Sequence, residues 1–251
     1  MKDKKLANKR SCLILGGTSE IGLAIANKFA ENGFDLILAA RNYDEVQKNA
    51  NNINLRFNVK TDALKMDILD VTSQNKLIDE LQFLPDIVVF SIGLLDKGKT
   101  AEENFEIAKE IIDVNFTYSL NILNKFAALF EARKFGAIIG IGSVAGDRGR
   151  KSNYIYGSAK AAFATYLSGL RNRLFQSNVR VITVKPGFVQ TKMVAHLDLP
   201  KIITASPEKI AKDVYKAFVH KKDIVYSLKF YKLLMLIVYH IPEILFKRIN
   251  L

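Results

Sequence analysis

The chain has 251 residues, enough for one α/β domain with a sizeable core. Hydrophobic residues make up 49% and charged residues 25%, a balance that excludes intrinsic disorder. Lys and Arg total 37 against 25 acids, a formal net charge of +12, which points either to an anionic partner or to a lysine-rich surface without one.

Cys12 stands alone, so no intramolecular disulfide exists, and a reducing cytoplasm fits. One Cys and three scattered His give no zinc-ligand spacing, so no metal is expected. No nucleic-acid motif is present, and nucleic acid is not an expected partner. Met1 to Arg10 is basic, but no long apolar region follows before Gly16, so a signal peptide is not expected.

Ser11 to Gly16 is a short apolar run, predicted as a first strand. Gly16-Gly-Thr-Ser-Glu-Ile-Gly22 follows. The helical pattern Leu23, Ile25, Ala26, Phe29, Ala30 comes next and stops at Asn32-Gly33. Such a strand–glycine turn–helix junction aims backbone N–H groups and a positive helix end at a pyrophosphate, unless it is a simple tight turn. Phe34 to Ala40 reads as a second strand, followed by Arg41. Asp44 to Asn58 is asparagine-rich and predicts a weakly ordered surface helix and loop. Asp62 to Asp67 reads as a third strand, and Ser73 to Leu81 as a helix capped by its serine. Asp86 to Gly93 is a fourth, buried strand, and residues 94–100 form a loop.

Ala101 to Phe130 is helical through most of its length. Asn115 lies there on an apolar face with Ile111, Ile112, Val114 and Leu120, where an amide destabilises unless it is satisfied. Ala137 to Ser143 is a fifth strand. The loop 144–153 carries Asp147, Arg148, Arg150 and Lys151, either solvated or facing an anionic substrate. A long helix covers Asn153 to Ser177. Val179 to Gly187 is the sixth strand, closing on a Pro186-Gly187 turn, with Thr191 just beyond. Met193 to Ser206 is expected to be a mobile substrate lid, and its His196 reads as incidental. Pro207 to His220 is a helix with Ser206 as cap. Ile224 to Tyr226 is an edge strand.

Residues 228–251 form an apolar, basic extension. The apolar run Leu233 to Tyr239 is too short to span a bilayer, which takes about 20 residues. Its flanking cations suit a helix lying in a membrane interface, or else a helix packed on the domain.

The chemistry-bearing pattern is Tyr156-Gly-Ser-Ala-Lys160. Residues four apart share a helix face, so phenol and ammonium are neighbours. A phenol ionises near pH 10, and a nearby ammonium lowers that value and makes the tyrosine usable as a general acid or base. Ser143, ending a strand thirteen residues upstream, can hydrogen-bond a substrate oxygen. Tyr-x-x-x-Lys by itself is common on solvated helix faces; the serine and the glycine turn give it weight.

Together these residues resemble the short-chain dehydrogenase/reductase family over nearly the whole chain. The resemblance implies one Rossmann-type, doubly wound α/β domain of parallel strands over residues 1–251, with 228–251 an extension within it. It implies catalytic roles for Asn115, Ser143, Tyr156 and Lys160, with Asn115 holding a relay water behind the lysine. It implies cofactor contacts from Gly16, Thr18, Ser19, Glu20, Ile21 and Gly22, and from Arg41, Asp67 and Gly93. Tyr156, Lys160, Pro186, Gly187 and Thr191 would hold the nicotinamide end, and Asp67 would lie near the adenine. Glu20 replaces the middle glycine of the family's loop, and of the family's Asn-Asn-Ala-Gly only Gly93 remains. Ala40 stands where an NAD-binding acid would be, with Arg41 next to it, which favours NADP(H) over NAD(H). A homo-oligomer through the helices bearing Asn115 and Tyr156 is a further implication.

Within the family, Leu15-Gly-Gly-Thr-Ser-Glu-Ile-Gly22, Gly93-Leu-Leu95, Ala195-His-Leu197 and His240-Ile-Pro242 are similar to the subgroup that reduces decaprenylphosphoryl 2-keto-ribose, and Glu20 is shared with it. That likeness implies a lipid-linked sugar substrate, a flavin-dependent oxidase partner that acts first, and peripheral contact with the inner face of the cytoplasmic membrane. A general reductase of acyl, steroid or small ketones is the alternative, and a cofactor-sensing protein without turnover is a third.

Overall fold

The computed structural model describes residues 10–95, 100–194 and 200–249. The first half contains β1 (Ser11–Leu15), α1 (Glu20–Glu31), β2 (Asp35–Ala40), α2 (Tyr43–Phe57), β3 (Thr61–Lys65), α3 (Val71–Glu80) and β4 (Ile87–Phe90). After these come α4 (Thr100–Glu103), α5 (Phe105–Ile112), a π-helical turn (Asp113–Thr117), α6 (Ser119–Arg133), β5 (Gly136–Ile141), α7 (Tyr154–Leu174) and β6 (Val179–Pro186). The chain continues through β7 (Phe188–Val189), β8 (Thr204–Ala205), α8 (Pro207–Val219), β9 (Ile224–Ser227), α9 (Phe230–His240) and α10 (Glu243–Phe246).

Among the described residues seven strands form one sheet in the order β3-β2-β1-β4-β5-β6-β9, every neighbouring pair parallel. The central strands β1, β4 and β5 are buried and mostly apolar on both faces, as a sheet covered by helices on each side requires. Along β1, Cys12 and Ile14 enter one core with α1 and α8, while Leu13 and Leu15 enter the other with α6 and α7. This is the doubly wound α/β domain that the alternation of strands and helices predicts. Strand order reverses between β1 and β4, so the crevice for a ligand opens at the C-terminal ends of those two strands.

Several elements differ from the sequence reading. α2 is a full, regular helix: Val46, Ala50 and Ile53 bury one face, and Asn58 closes it at φ 52°. Amphipathic spacing outweighs its asparagine content. α3 is capped by Asp70, which accepts from Thr72 N at 2.8 Å, and Ser73 instead accepts Asp67 N at 3.0 Å. The helix after residue 100 breaks at Asn104, which caps α5, and again at the π-helical turn around Asn115. Part of the expected lid is built structure: β7 and β8 pair in parallel. Residues 96–99 and 195–199, His196 among them, lie outside the described residues.

The C-terminal extension packs with one face and exposes the other. Tyr231, Met235 and Val238 of α9 are buried. Leu233, Leu236 and Ile237 are 63%, 57% and 57% exposed. Among the described residues no helix is long and apolar enough to cross a membrane.

Candidate active site

The glycine turn sits at the reversal point of the sheet. Gly16 has φ 97°, and a Cβ on it would stand 2.9 Å from Ser91 O at the end of β4, so only glycine fits. Ser19 caps α1, its Oγ accepting Gly22 N at 2.9 Å and donating to Gly16 O at 2.9 Å. The first-turn N–H groups of α1 therefore face the crevice, a cradle for anionic oxygens. Glu20 Oε2 accepts Lys192 N at 2.8 Å, joining this turn to the segment beyond β7.

A cavity of about 360 Å³ runs from the turn to α7. Thr18, Ser19, Glu20 and Ile21 line it together with Gly93, Ser143, Tyr156 and Lys160 and with Pro186, Gly187 and Thr191. Gly16 and Gly22 shape the turn behind it. Arg41 is exposed at the end of β2, one residue before Asn42, which caps α2 by accepting Glu45 N. Arg41 is not among the residues that line the cavity. Asp67 also lies outside, and its Oδ1 accepts Leu69 N at 3.0 Å in the turn after β3.

Ser143 follows β5 in extended backbone, and its Oγ accepts Ala145 N at 3.0 Å. Lys160 is buried, its Nζ 5.7 Å from the Tyr156 ring centroid and donating to Ile141 O at 3.3 Å. Asn115 is wholly buried: its Nδ2 donates to Leu94 O at 2.6 Å and Ile111 O at 2.8 Å, and its Oδ1 accepts Leu94 N at 3.3 Å. A point beside Gly93 lies 3.1 Å from that Oδ1 and 3.3 Å from Lys160 Nζ, so amide and ammonium flank the same glycine. The asparagine is off the cavity wall, with its polar atoms already engaged, and the π turn is what carries it inward.

The ionisation pattern differs from the sequence expectation. Burial pushes the Tyr156 phenol up to about 12, while a hydrogen bond with Ser143 and the Arg150 charge pull weakly the other way. Burial pulls Lys160 down to about 8. Desolvation of the phenol thus outweighs the lowering by Ser143 and Arg150. At neutral pH the tyrosine holds its proton and the lysine is mostly charged, which suits a proton donor more than a proton acceptor.

Three features of this region go beyond the sequence reading, which left the charges of loop 144–153 either solvated or facing an anionic substrate. Tyr231 of α9 lines the cavity; a Cβ on Gly187 would meet its ring at 2.1 Å, and its hydroxyl donates to Ile203 O at 2.8 Å. Arg148 faces α9, not a ligand: Nη1 donates to Val238 O and Ile241 O at 2.6 Å, Nη2 pairs with Glu243 at 2.9 Å, and the guanidinium lies 3.7 Å from the Phe246 ring centroid. Arg150 and Asn153 reach the cavity wall. No sequence signal separates these residues from their solvated neighbours, because each contact spans a long stretch of chain or a loop.

Residues 10–201 match the short chain dehydrogenase family. The chain belongs to the short-chain dehydrogenase/reductase family. An uncharacterized oxidoreductase of Mycobacterium tuberculosis (H37Rv) is 30% identical over 217 residues, covering 85% of this chain and 86% of that protein. One from Staphylococcus aureus (N315) is 30% identical over 219 residues, covering 84% and 92%. Among solved structures, a short-chain dehydrogenase from Sphingobium yanoikuyae in complex with NADPH superposes with TM-score 0.81 at 23% identity, covering 93% and 97%. One from Burkholderia cenocepacia in complex with NADP gives TM-score 0.82 at 19% identity, covering 96% and 97%. These two likenesses are of fold. As a short-chain dehydrogenase/reductase, the chain is an NAD(P)-dependent oxidoreductase.

Proposed function

We propose that this short-chain dehydrogenase/reductase reduces a ketone, with Tyr156 giving the proton to the carbonyl oxygen. The observation that carries this is one cavity lined by the glycine turn, Ser143, Tyr156 and Lys160 together. A dinucleotide fits the residues present: the glycine turn packs tightly on the end of β4, where a Cβ on Gly16 would meet Ser91 O, and Thr18 to Ile21 line the cavity. Thr18 to Gly22 would hold the pyrophosphate, Lys160 the nicotinamide ribose, and Gly93, Pro186, Gly187 and Thr191 the nicotinamide end. Asp67 would approach the adenine. Arg41, the residue before the α2 cap Asn42, would take a 2′-phosphate, which favours NADP(H). When bound, the cofactor supplies the hydride. Ser143 holds and polarises the substrate oxygen, Tyr156 protonates it, and Lys160 keeps positive charge behind the phenolate left by that transfer. Asn115 would position a relay water behind the lysine.

For the substrate we propose a 2-keto pentose linked to a polyprenyl phosphate, whose reduction gives an arabinose donor for envelope glycans. A flavin-dependent oxidase would supply the keto sugar. The motif likeness of Leu15 to Gly22, Gly93 to Leu95 and His240 to Pro242 supports this reading. So does α9, which combines a cavity-lining Tyr231 with an exposed apolar strip. On this reading the chain works at the inner face of the cytoplasmic membrane, α9 resting on lipid.

The test is reduction of a farnesyl-phosphoryl 2-keto pentose with NADPH. Tyr156→Phe should lower kcat at least about 10²-fold, with the NADPH Kd within about threefold of wild type. Near-normal turnover in that variant removes Tyr156 from the chemistry. Faster reduction of soluble acyl, steroid or small ketones replaces the lipid-linked reading with a general reductase. NADPH binding without turnover on any ketone points to a cofactor-sensing role.

A further inference from the structure

We propose that Arg150 reads an oxyanion on the substrate, so that the chain takes ketones bearing a phosphoryl group near the reacting carbonyl. This rests on the carbonyl-reductase reading, but not on the lipid.

Arg150 lies between Ser143 and α7 and lines the cavity with Tyr156 and Tyr231. Its Nε is buried without a hydrogen-bond partner. No hydrogen bond or ion pair forms at its guanidinium among the described residues, unlike at the charged groups of Arg148 and Lys185. Arg148 is consumed by α9, and Lys185 pairs with Asp147. Asp147, the acid that acts electrostatically on Arg150, also accepts the Tyr226 hydroxyl at 2.9 Å. Arginine cannot shed its charge near neutral pH, so a half-buried, unpaired guanidinium is unfavourable until an anion meets it. Its outer nitrogens are the ones a ligand reaches, and their fork suits phosphate or carboxylate oxygens.

Asn153 supports the same conclusion independently. Asparagine in the position before a helix normally accepts an N–H of the first turn. Asn153 makes no such bond to α7; its Oδ1 is buried without a partner, and the residue lines the cavity. An orphaned acceptor calls for a donor such as a sugar hydroxyl. An anion-seeking fork and a hydroxyl-seeking carbonyl therefore stand beside Tyr156, as a phosphorylated polyol ketone requires.

The experiment compares kcat/KM for dihydroxyacetone phosphate and D-ribulose 5-phosphate with that for their unphosphorylated parents, at saturating NADPH. The ester-to-parent ratio is the readout, so a general loss of activity cancels. Wild type should show a ratio of at least about ten, the size of one charge-assisted hydrogen bond. Arg150→Gln should bring it near one, mainly through KM, and Arg150→Lys should recover part of it. NADPH binding by both variants serves as the folding check. Methyl phosphate should compete with the ketone, not with NADPH, in wild type only. A farnesyl-phosphoryl 2-keto pentose with the same Arg150 dependence assigns the anion to a lipid phosphodiester; dependence confined to monoesters assigns it to soluble sugar phosphates. Equal use of esters and parents, or a ratio that Arg150→Gln leaves unchanged, overturns the proposal while ketone reduction stands. No turnover of any ketone overturns the reductase reading and this proposal together.

Discussion

Lys160 is held where a charge is poorly solvated, and this makes a measurable conflict between stability and activity. An unfolded lysine ionises near 10.4, whereas burial brings Lys160 to about 8. Below pH 8 both states are protonated and the folded state carries the full penalty. Between pH 8 and about 10.4 the unfolded chain binds more protons, so stability climbs with pH. Lys160→Met should be inactive, yet more stable by about 1–3 kcal/mol at pH 7, because an apolar side chain removes the buried charge. That gain should shrink toward zero near pH 10.4. Urea melts at pH 7 and pH 10 check both halves; equal ΔΔG values at the two pH values contradict the burial argument. Reduction by wild type should fall as pH rises through about 8, where Lys160 loses its proton. The spacing of Tyr156 and Lys160 was legible in the sequence because it is local, within one helical turn. The ionisation was not, because desolvation depends on what β5 and the π turn pack around the pair.

Helix α9 is tied to the site at both ends, and the ties are testable as couplings. At its start, Tyr231 lies over Gly187, where a methyl group would overlap the ring. Gly187→Ala should therefore destabilise the fold by about 1–3 kcal/mol. In Tyr231→Ala the same change should be far milder, a coupling read from the double-mutant cycle. Additive effects would mean that the helix does not rest on that turn. At its end, Arg148 takes the carbonyls of Val238, Tyr239 and Ile241, which the helix itself leaves without donors. The strands and most helices could be read from periodicity and turn residues. These ties could not, since Arg148 and Ile241 lie far apart in the chain and no local pattern announces them. The start of α3 was misread for a similar reason: Asp70 and Ser73 compete as caps, and a bond from Asp67 N settles the matter in favour of Asp70.

For the molecule as a whole, the net charge of +12 and the outer face of α9 act together. Leu233, Leu234, Leu236 and Ile237 are exposed between the cations Lys229, Lys232, Lys247 and Arg248. If this face rests on anionic lipid, wild type should co-sediment with phosphatidylserine-containing vesicles at low salt and be released by high salt. Leu233→Glu with Ile237→Glu should abolish sedimentation without unfolding, because both side chains are already in solvent. Wild type left in the supernatant at low salt would remove the membrane contact from the proposal. The C-terminal position of Tyr231 also has a bearing on biosynthesis. Tyr156, the last made of Ser143, Tyr156 and the glycine turn, precedes Tyr231 by about 75 residues, an interval of roughly 4–15 s at ~5–20 residues per second. During that interval the nascent chain holds its chemical groups without the wall that α9 supplies. A ribosome-bound chain thus cannot form the complete site until α9 has been made.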